Sequence, residues 1–332
     1  MDSGTRKRST GMILGKFLPP HRGHEYLVEF GRHYVDDLTV LVCSIEAEPI
    51  PGELRHRWMR RMFPDCNVVW VNDENPQEPA DHPDFWDIWV QTIRRVMPEG
   101  PDYVFASEPY GFELAARLGA SFVPVDIQRE MVPVSGTAIR QSPMLHWDAI
   151  PDVVRPYFVK RVCIFGPEST GKTTLARDLA AHFNTCWVHE YARPLLDHQN
   201  GECFEDDIPR IVRGQVAAED ALAGRANRVL FTDTDVLTTT VWSDVLFGRC
   251  PPWIRALAST RKPDLTLLLD IDVPWVDDAQ RHLPHLRREF WQRCVDALES
   301  EGRPWVAIQG DWTTRFATAV QAVERLIDSS GS

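Results

Sequence analysis

A chain of 332 residues is long for one hydrophobic core, so two domains are expected. With 43% hydrophobic and 25% charged residues it has an ordinary globular composition, and its net charge of −12 argues against a general nucleic-acid binder, which needs a basic face. Anionic small molecules are not excluded, because a local cluster of Lys, Arg and helix N-termini suffices for them. No apolar h-region follows the basic start "MDSGTRKRST", so no signal peptide is expected, and no apolar run nears the ~20 residues of a membrane span. The seven cysteines are scattered and form no C-x-x-C pair; Cys43, Cys163 and Cys186 lie in strand-like runs. That usage predicts free thiols in a reducing cytoplasm.

In chain order, apolar runs alternate with helical patterns. The strands of the first half read "GMILGKF", "LTVLVCS", "NVVWV", "DYVFAS" and "SFVPVD", separated by helices near 23–33, 53–62, 84–96 and 110–118. In the second half they read "RVCIF", "TCWVHE", "RVLFTD", "LTLLLDI" and "PWVAIQ", with helices near 172–183, 205–224, 235–247, 285–300 and 314–328. Strands alternating with helices predict an α/β protein made of two doubly wound parallel sheets, one per domain. The prolines of "WDAIPDVVRPYFVKR" mark the boundary, giving domains at 10–155 and 156–328.

The first strand is followed by "LPPHRGH". Ligands of open α/β sheets bind outside the C-terminal strand ends, where a helix N-terminus also offers free N–H groups. His21 and His24 sit there, and both can donate to phosphate oxygens as charge builds in a transition state. Gly23 lets the backbone approach a phosphate, and Lys16 is a third candidate donor. Further on, "SGTAIR" offers Ser135 and Thr137 as caps and phosphate contacts, with Arg140 in the first turn of the helix they open. "GKFLPPHRGH" with "SGTAIR" resembles the nucleotidyltransferase superfamily, with its [HT]-x-G-H and [ST]-x-T-x-x-R signatures. The resemblance implies attack of a phosphate or similar acceptor on the α-phosphate of ATP, with Mg²⁺ assistance and release of pyrophosphate. It puts His21 and His24 on the ATP phosphates, Arg140 at the β/γ end, and Gly15, Phe17, Gly23, Ser135 and Thr137 around the nucleotide.

"GPESTGKT", from Gly166 to Thr173, fits G-x-x-x-x-G-K-[ST] in full, after the strand "RVCIF" and before a helix. Its backbone would cradle ATP phosphates, Lys172 would reach the β/γ oxygens and Thr173 would hold Mg²⁺. Glu168, Ser169, Thr170, Gly171 and Thr174 complete that nucleotide site. "HEYAR" follows the next strand: Glu190 is placed to take a proton from a sugar hydroxyl, and Tyr191 and Arg193 to hold the acceptor. Asp233, ending "RVLFTD", resembles a metal-binding acid; either it or Glu190 would be the base. Asp235 is a substrate contact or a helix cap. In "DDAQRHLPHLRREF", Arg281, Arg287 and Arg288 resemble a lid over the phosphates.

The pairing is more specific than either half. "VCIFGPESTGKTTLA", "HEYAR", "FTDTD" and "DVPWVDDAQR" behind an H-x-G-H domain resemble the bifunctional NadR family, over about residues 11–325. That implies phosphorylation of nicotinamide riboside to nicotinamide mononucleotide (NMN) by the second domain, and its joining to AMP as NAD⁺ by the first. It also marks "DFWDIWV", where Trp86 or Trp89 would stack the pyridine or simply pack the core, and "ASEPYG", where Ser107, Glu108 and Tyr110 would neighbour the ribose or adenine. Some relatives carry an N-terminal DNA-binding module; about ten residues precede the first strand here, so no repressor role and no nucleic-acid partner is expected. Assembly into a homo-oligomer fits the superfamily. The rival expectations are a coenzyme A synthase-like adenylyltransferase/kinase and a nucleotide-sensing module with one inactive site.

Overall fold

The structure, a computed structural model, describes residues 7–276 and 284–329. The chain divides into two compact units, Met1–Val154 and Arg155–Ser332.

The first unit runs β1 (Thr10–Gly15), α1 (Arg22–Tyr34), β2 (Asp37–Cys43), α2 (Gly52–Met62), β3 (Asn67–Val71), α3 (Phe85–Val96), β4 (Tyr103–Ala106), α4 (Tyr110–Leu118), β5 (Ser121–Pro124) and α5 (Gly136–Gln141). The strands form one parallel sheet in the order β3-β2-β1-β4-β5. Alternate residues of the central strands supply two cores. Ile13, Val40 and Val42 pack with Leu27 and Val28 of α1 and Met59 of α2. Met12, Leu41 and Cys43 pack with Ile93 of α3 and Leu114, Ala115 and Leu118 of α4. Period-two burial on both faces is why these strands read as unbroken apolar runs. The chain leaves β1 toward β2 but returns to β4 on the other side, so a crevice opens between the ends of β1 and β4.

The second unit runs α6 (Arg155–Phe158), β6 (Lys160–Phe165), α7 (Lys172–His182), β7 (Trp187–Val188), α8 (Ala192–Asp197), α9 (Asp207–Ala223), β8 (Val229–Asp233), α10 (Val236–Phe247), α11 (Pro252–Thr260), β9 (Leu265–Leu269), α12 (Arg287–Ser300), β10 (Trp305–Ile308) and α13 (Trp312–Asp328). Its parallel sheet has the order β10-β9-β6-β8-β7. Val162 and Ile164 of β6 face α7 and α13, while Cys163 and Phe165 face α9 to α12. Both sheets are doubly wound, as the alternation predicts.

Local details differ from the sequence reading. β1 stops at Gly15, because Phe17 takes a positive φ of 48° and turns the chain. "TCWVHE" supplies only the two-residue β7, so Glu190 lies in the loop beyond it. The helix α11 was hidden behind "CPPW"; Pro252 is its first residue, where a missing N–H costs nothing. Arg140 falls in the last turn of α5, not the first. Among the described residues no helix is long and apolar enough to cross a membrane, and all seven cysteines are free.

Candidate active sites

At the end of β1 the two histidines cap one helix and each other. His21 is the N-cap of α1: its Nδ1 accepts from the His24 N–H at 3.4 Å, and His24 Nδ1 accepts from the His21 N–H at 3.3 Å. The rings stack with centroids 3.7 Å apart, and Phe17 meets His24 edge-on at 4.8 Å. Gly23 has a local reason, since a Cβ there would lie 3.0 Å from the His21 ring. Burial, with repulsion from Arg129, lowers the His21 pKa to about 4; His24 is lowered as well, by burial first, then by His21 and Arg129. Both rings are therefore neutral near pH 7. With Nδ1 accepting, each carries its proton on Nε2, which is left as a donor.

The two signature motifs meet. Arg140 donates to the Leu18 carbonyl and to Thr137 Oγ1 at 3.1 Å, and Gly136 packs so closely on the Leu18 carbonyl that a Cβ would clash. Ser135 caps α5, its Oγ accepting from the Ala138 N–H at 3.1 Å. Lys16 is half exposed, and its Nζ lies 3.4 Å from Glu48 Oε1. Beneath it, Arg55 of α2 is fully buried and holds the Lys16 carbonyl, the Cys43 carbonyl and the Glu48 carboxylate.

Several other expected contacts have partners within the first unit. Phe17 is 1% exposed, so its ring supports His24 from the core instead of lying open to a nucleotide; Gly15 leaves room for it, with a Cβ there only 3.3 Å from the ring. Trp86 packs edge-on against Phe85 beneath Arg117, and Trp89 donates to the Pro76 carbonyl at 2.9 Å; both rings border the α3–α4 core. Tyr110 donates to the Leu14 carbonyl at 2.7 Å, and burial raises its pKa. Glu108 is exposed and pairs with Arg129 at 3.1 Å, while Ser107 directly follows β4 beside the crevice. Arg22 pairs with Glu25 and Asp152.

In the second unit the phosphate loop joins β6 to α7. Gly166, Ser169 and Gly171 take positive φ values of 136°, 58° and 88°. The loop's carbonyls are tied back one after another. Pro167 O accepts from Thr170 Oγ1 and Lys172 Nζ, both at 2.9 Å. Glu168 O and Ser169 O accept from Arg287 at 3.4 and 3.0 Å, and Thr170 O accepts from Arg315 at 2.9 Å. Carbonyls held this way leave the N–H groups to line an anion-binding concavity. Arg287 of α12 is thus a clamp on the loop, not the lid of the sequence reading. Arg288 is exposed, and Arg281 lies outside the described residues.

Thr173 Oγ1 donates to Asp233 Oδ2 at 2.5 Å, and the buried Asp233 Oδ1 has no hydrogen-bond partner among the described residues. The register puts Asp233 opposite Ile164, one residue short of the end of β6. Burial raises the pKa of Asp233 and of Glu190. Lys172 and Arg193 oppose both shifts, and the Asp233 charge reinforces that of Glu190. Tyr191 lies across Gly214 of α9, where any Cβ would clash with its ring, and its N–H donates to Gln215 at 3.1 Å. Thr174 is exposed at the start of α7. Asp235 is no open ligand: it caps α10 through Thr238 and forms a buried ion pair with Arg303.

The geometry agrees with the comparisons. A model of the AAA domain matches residues 161–315. The trifunctional NAD biosynthesis/regulator protein NadR of Escherichia coli (strain K12) is 31% identical over 347 residues, covering 97% of this chain and 84% of that one. The chain belongs to the NadR family. A nicotinamide-nucleotide adenylyltransferase of Methanoculleus marisnigri is 29% identical over 161 residues, 44% of this chain and 90% of that one. Crystal structures of NadR proteins, one with NR and one with NAD and AMP-PNP, superpose with TM-scores of 0.81 and 0.78 at 26% and 25% identity, each over 97% of this chain and 96% of theirs. Arg55, which holds the Lys16 carbonyl, and Arg315, which holds the Thr170 carbonyl, were missed by the sequence reading. Each is an arginine at an inward helix position, and that placement was the only signal.

Proposed function

We propose that this member of the NadR family makes NAD⁺ in two steps: the second unit phosphorylates nicotinamide riboside with ATP, and the first adenylylates the resulting NMN. The observation that carries the reading is the family match over 97% of the chain, and the clusters at the ends of β1 and β6 support it. The free thiols support a cytoplasmic setting.

In the kinase, the loop N–H groups bind the ATP phosphates, and Lys172 exchanges Pro167 O for a β/γ oxygen. The orphaned Asp233 Oδ1 and the adjoining Thr173 Oγ1 fit a divalent cation. When bound, Mg²⁺ neutralises charge on the β- and γ-phosphates. Asp233 is thereby occupied, so Glu190 is the base. It takes the proton of the ribose hydroxyl as that oxygen attacks the γ-phosphorus, and ADP leaves. Burial raises its pKa above the ordinary carboxylate value, which suits a proton acceptor.

In the adenylyltransferase, an NMN phosphate oxygen attacks the α-phosphorus of ATP and pyrophosphate leaves. His21 and His24 meet the developing charge through Nε2–H, with Lys16 and Arg140 supplying positive charge. Their neutrality suits donation without a proton passing to the leaving group.

Incubation of the chain with nicotinamide riboside, ATP and Mg²⁺, followed by chromatography, tests the reading. NMN followed by NAD⁺ is expected. NMN alone would leave the first unit's assignment wrong; neither product would overturn the kinase assignment, and supplied NMN with ATP then tests the first unit by itself. Pantetheine phosphate would then be the next acceptor to try.

A further inference from the structure

Beside the phosphate loop stands an aromatic side chain that the mechanism above does not use. Trp312 is the first residue of α13 and is 55% exposed. It is nonetheless firmly held. One edge of its six-membered ring rests on Gly171, where a Cβ would lie 2.5 Å from Cζ3 and 2.6 Å from Cη2. The Arg315 guanidinium lies over the ring at 5.6 Å; it is buried and bonds the carbonyls of Gly310, Thr170 and Asp270 at 2.9 Å each, and also Asp272. Asp311 caps the helix through the Thr314 N–H at 2.8 Å, and the Gly310 N–H donates to Asp272 at 2.6 Å. The indole is thus a rigid aromatic surface, open to solvent, against Gly171 at the start of α7, beside the loop proposed to hold the ATP phosphates. Burying an indole is favourable, so leaving one more than half exposed at a fixed helix start invites a planar partner. Nucleic-acid bases stack on such faces, whatever their edge pattern.

We propose that the exposed surface of Trp312 is the stacking platform for the adenine of ATP in the kinase unit. The inference rests on the kinase reading above. It assigns the base a site distinct from the phosphate contacts, and it gives Gly171 a second purpose: a side chain there would push the platform out of place.

The test uses Trp312→Ala and Trp312→Phe in the full chain. Three constants are read in the phosphorylation of nicotinamide riboside: KM for ATP, KM for the riboside, and the inhibition constant of inorganic tripolyphosphate, which has phosphates but no base. Trp312→Ala should raise KM for ATP about tenfold, toward the lower end of what losing one base stack costs. The other two constants should stay within about twofold on the same argument, and Trp312→Phe should recover most of the loss. If tripolyphosphate weakens as much as ATP, the indole merely buttresses Gly171 and the proposal falls. It falls equally if KM for ATP does not move. Adenylylation of supplied NMN reports on the integrity of the first unit throughout. Should the native chain fail to phosphorylate the riboside, the kinase reading fails separately. Equilibrium binding of ATP and of tripolyphosphate to the native and Trp312→Ala chains then still decides the platform.

Discussion

At the end of β1 the polar groups are neutral and satisfy one another; at the end of β6 they are ionic, and one is left over. His21 and His24 close a reciprocal cap, stack, and lose their positive charge to burial. Lys172, Glu190, Asp233 and Arg193 instead balance one another's charges, with one buried carboxylate oxygen unpartnered. The difference follows the chemistry proposed for each. Transfer of an adenylyl group to a phosphate oxygen needs no base, because the attacking oxygen is already ionised. Phosphorylation of a sugar hydroxyl must remove a proton, and a carboxylate held near a metal-binding acid is equipped for that.

The contrast breaks most sharply by reciprocal substitution. His24→Ala should cut NAD⁺ formation from supplied NMN by about 10²–10³-fold and leave riboside phosphorylation intact, the scale seen when one transition-state donor is lost. Lys172→Ala should do the reverse. Separate assays of the two half-reactions check this, and a loss of both activities in either variant would mean the sites are not independent. Next in size, Glu190→Gln should lower kinase kcat by about 10²-fold and abolish the acidic limb of its pH profile, as removal of a general base does. Asp233→Asn should instead raise the Mg²⁺ concentration needed for half-maximal rate. If the two variants exchange these signatures, the base and the metal ligand have been assigned the wrong way round.

Stability separates the units further. Arg315 is 1% exposed, and Arg315→Ala would strand three backbone carbonyls and Asp272. Leaving a buried carbonyl unpaired costs about 1–3 kcal/mol, while the Asp272 carboxylate is 37% exposed and adds little. Thermal unfolding of the full chain, with each activity followed as a domain-specific reporter, should show the kinase lost first. Equal loss of both activities would contradict that localisation.

How much of this could be read from the chain alone depended on range. The strands were legible because period-two burial on both sheet faces leaves uninterrupted apolar runs. The H-x-G-H and phosphate-loop motifs were legible because each is one local turn. What escaped was set by distant partners. Arg315 meets Thr170 across 145 positions, and Arg287 meets Ser169 across 118. Asp235 offered a cap or a ligand until Arg303, 68 positions on, appeared beside it. Trp86 and Trp89 lie three apart on one helical face, a spacing that does not distinguish a core stripe from a stacking pair; the structure places both at the core border. Arg55 lies in "GELRHR", where nothing local marks an inward residue, yet the helix turns it inward beneath Lys16.

The smallest effect is the most diagnostic, because its sign differs between the units. The His21 pKa is lowered in the fold from 6.5 to about 4, and that of His24 is lowered too. Between those limits the unfolded chain binds more protons than the folded one, so the histidine pair's contribution is complete above about pH 6.5 and drains away as pH falls toward 4. Glu190 and Asp233 are raised above 4.5 and 3.8. There the folded chain binds more protons, so their contribution is present below those values and is lost as pH rises through the folded pKa. Mild acidification should therefore loosen α1 while the ends of β6 and β8 hold or tighten. Hydrogen exchange measured between pH 7 and 5, corrected for the intrinsic rate, resolves the two sets of amides. In a His21→Asn variant, which keeps an N-cap acceptor but cannot titrate, the acid loosening of α1 should shrink. An unchanged slope in that variant would show that the histidine cap is not what makes the first unit sensitive to acid.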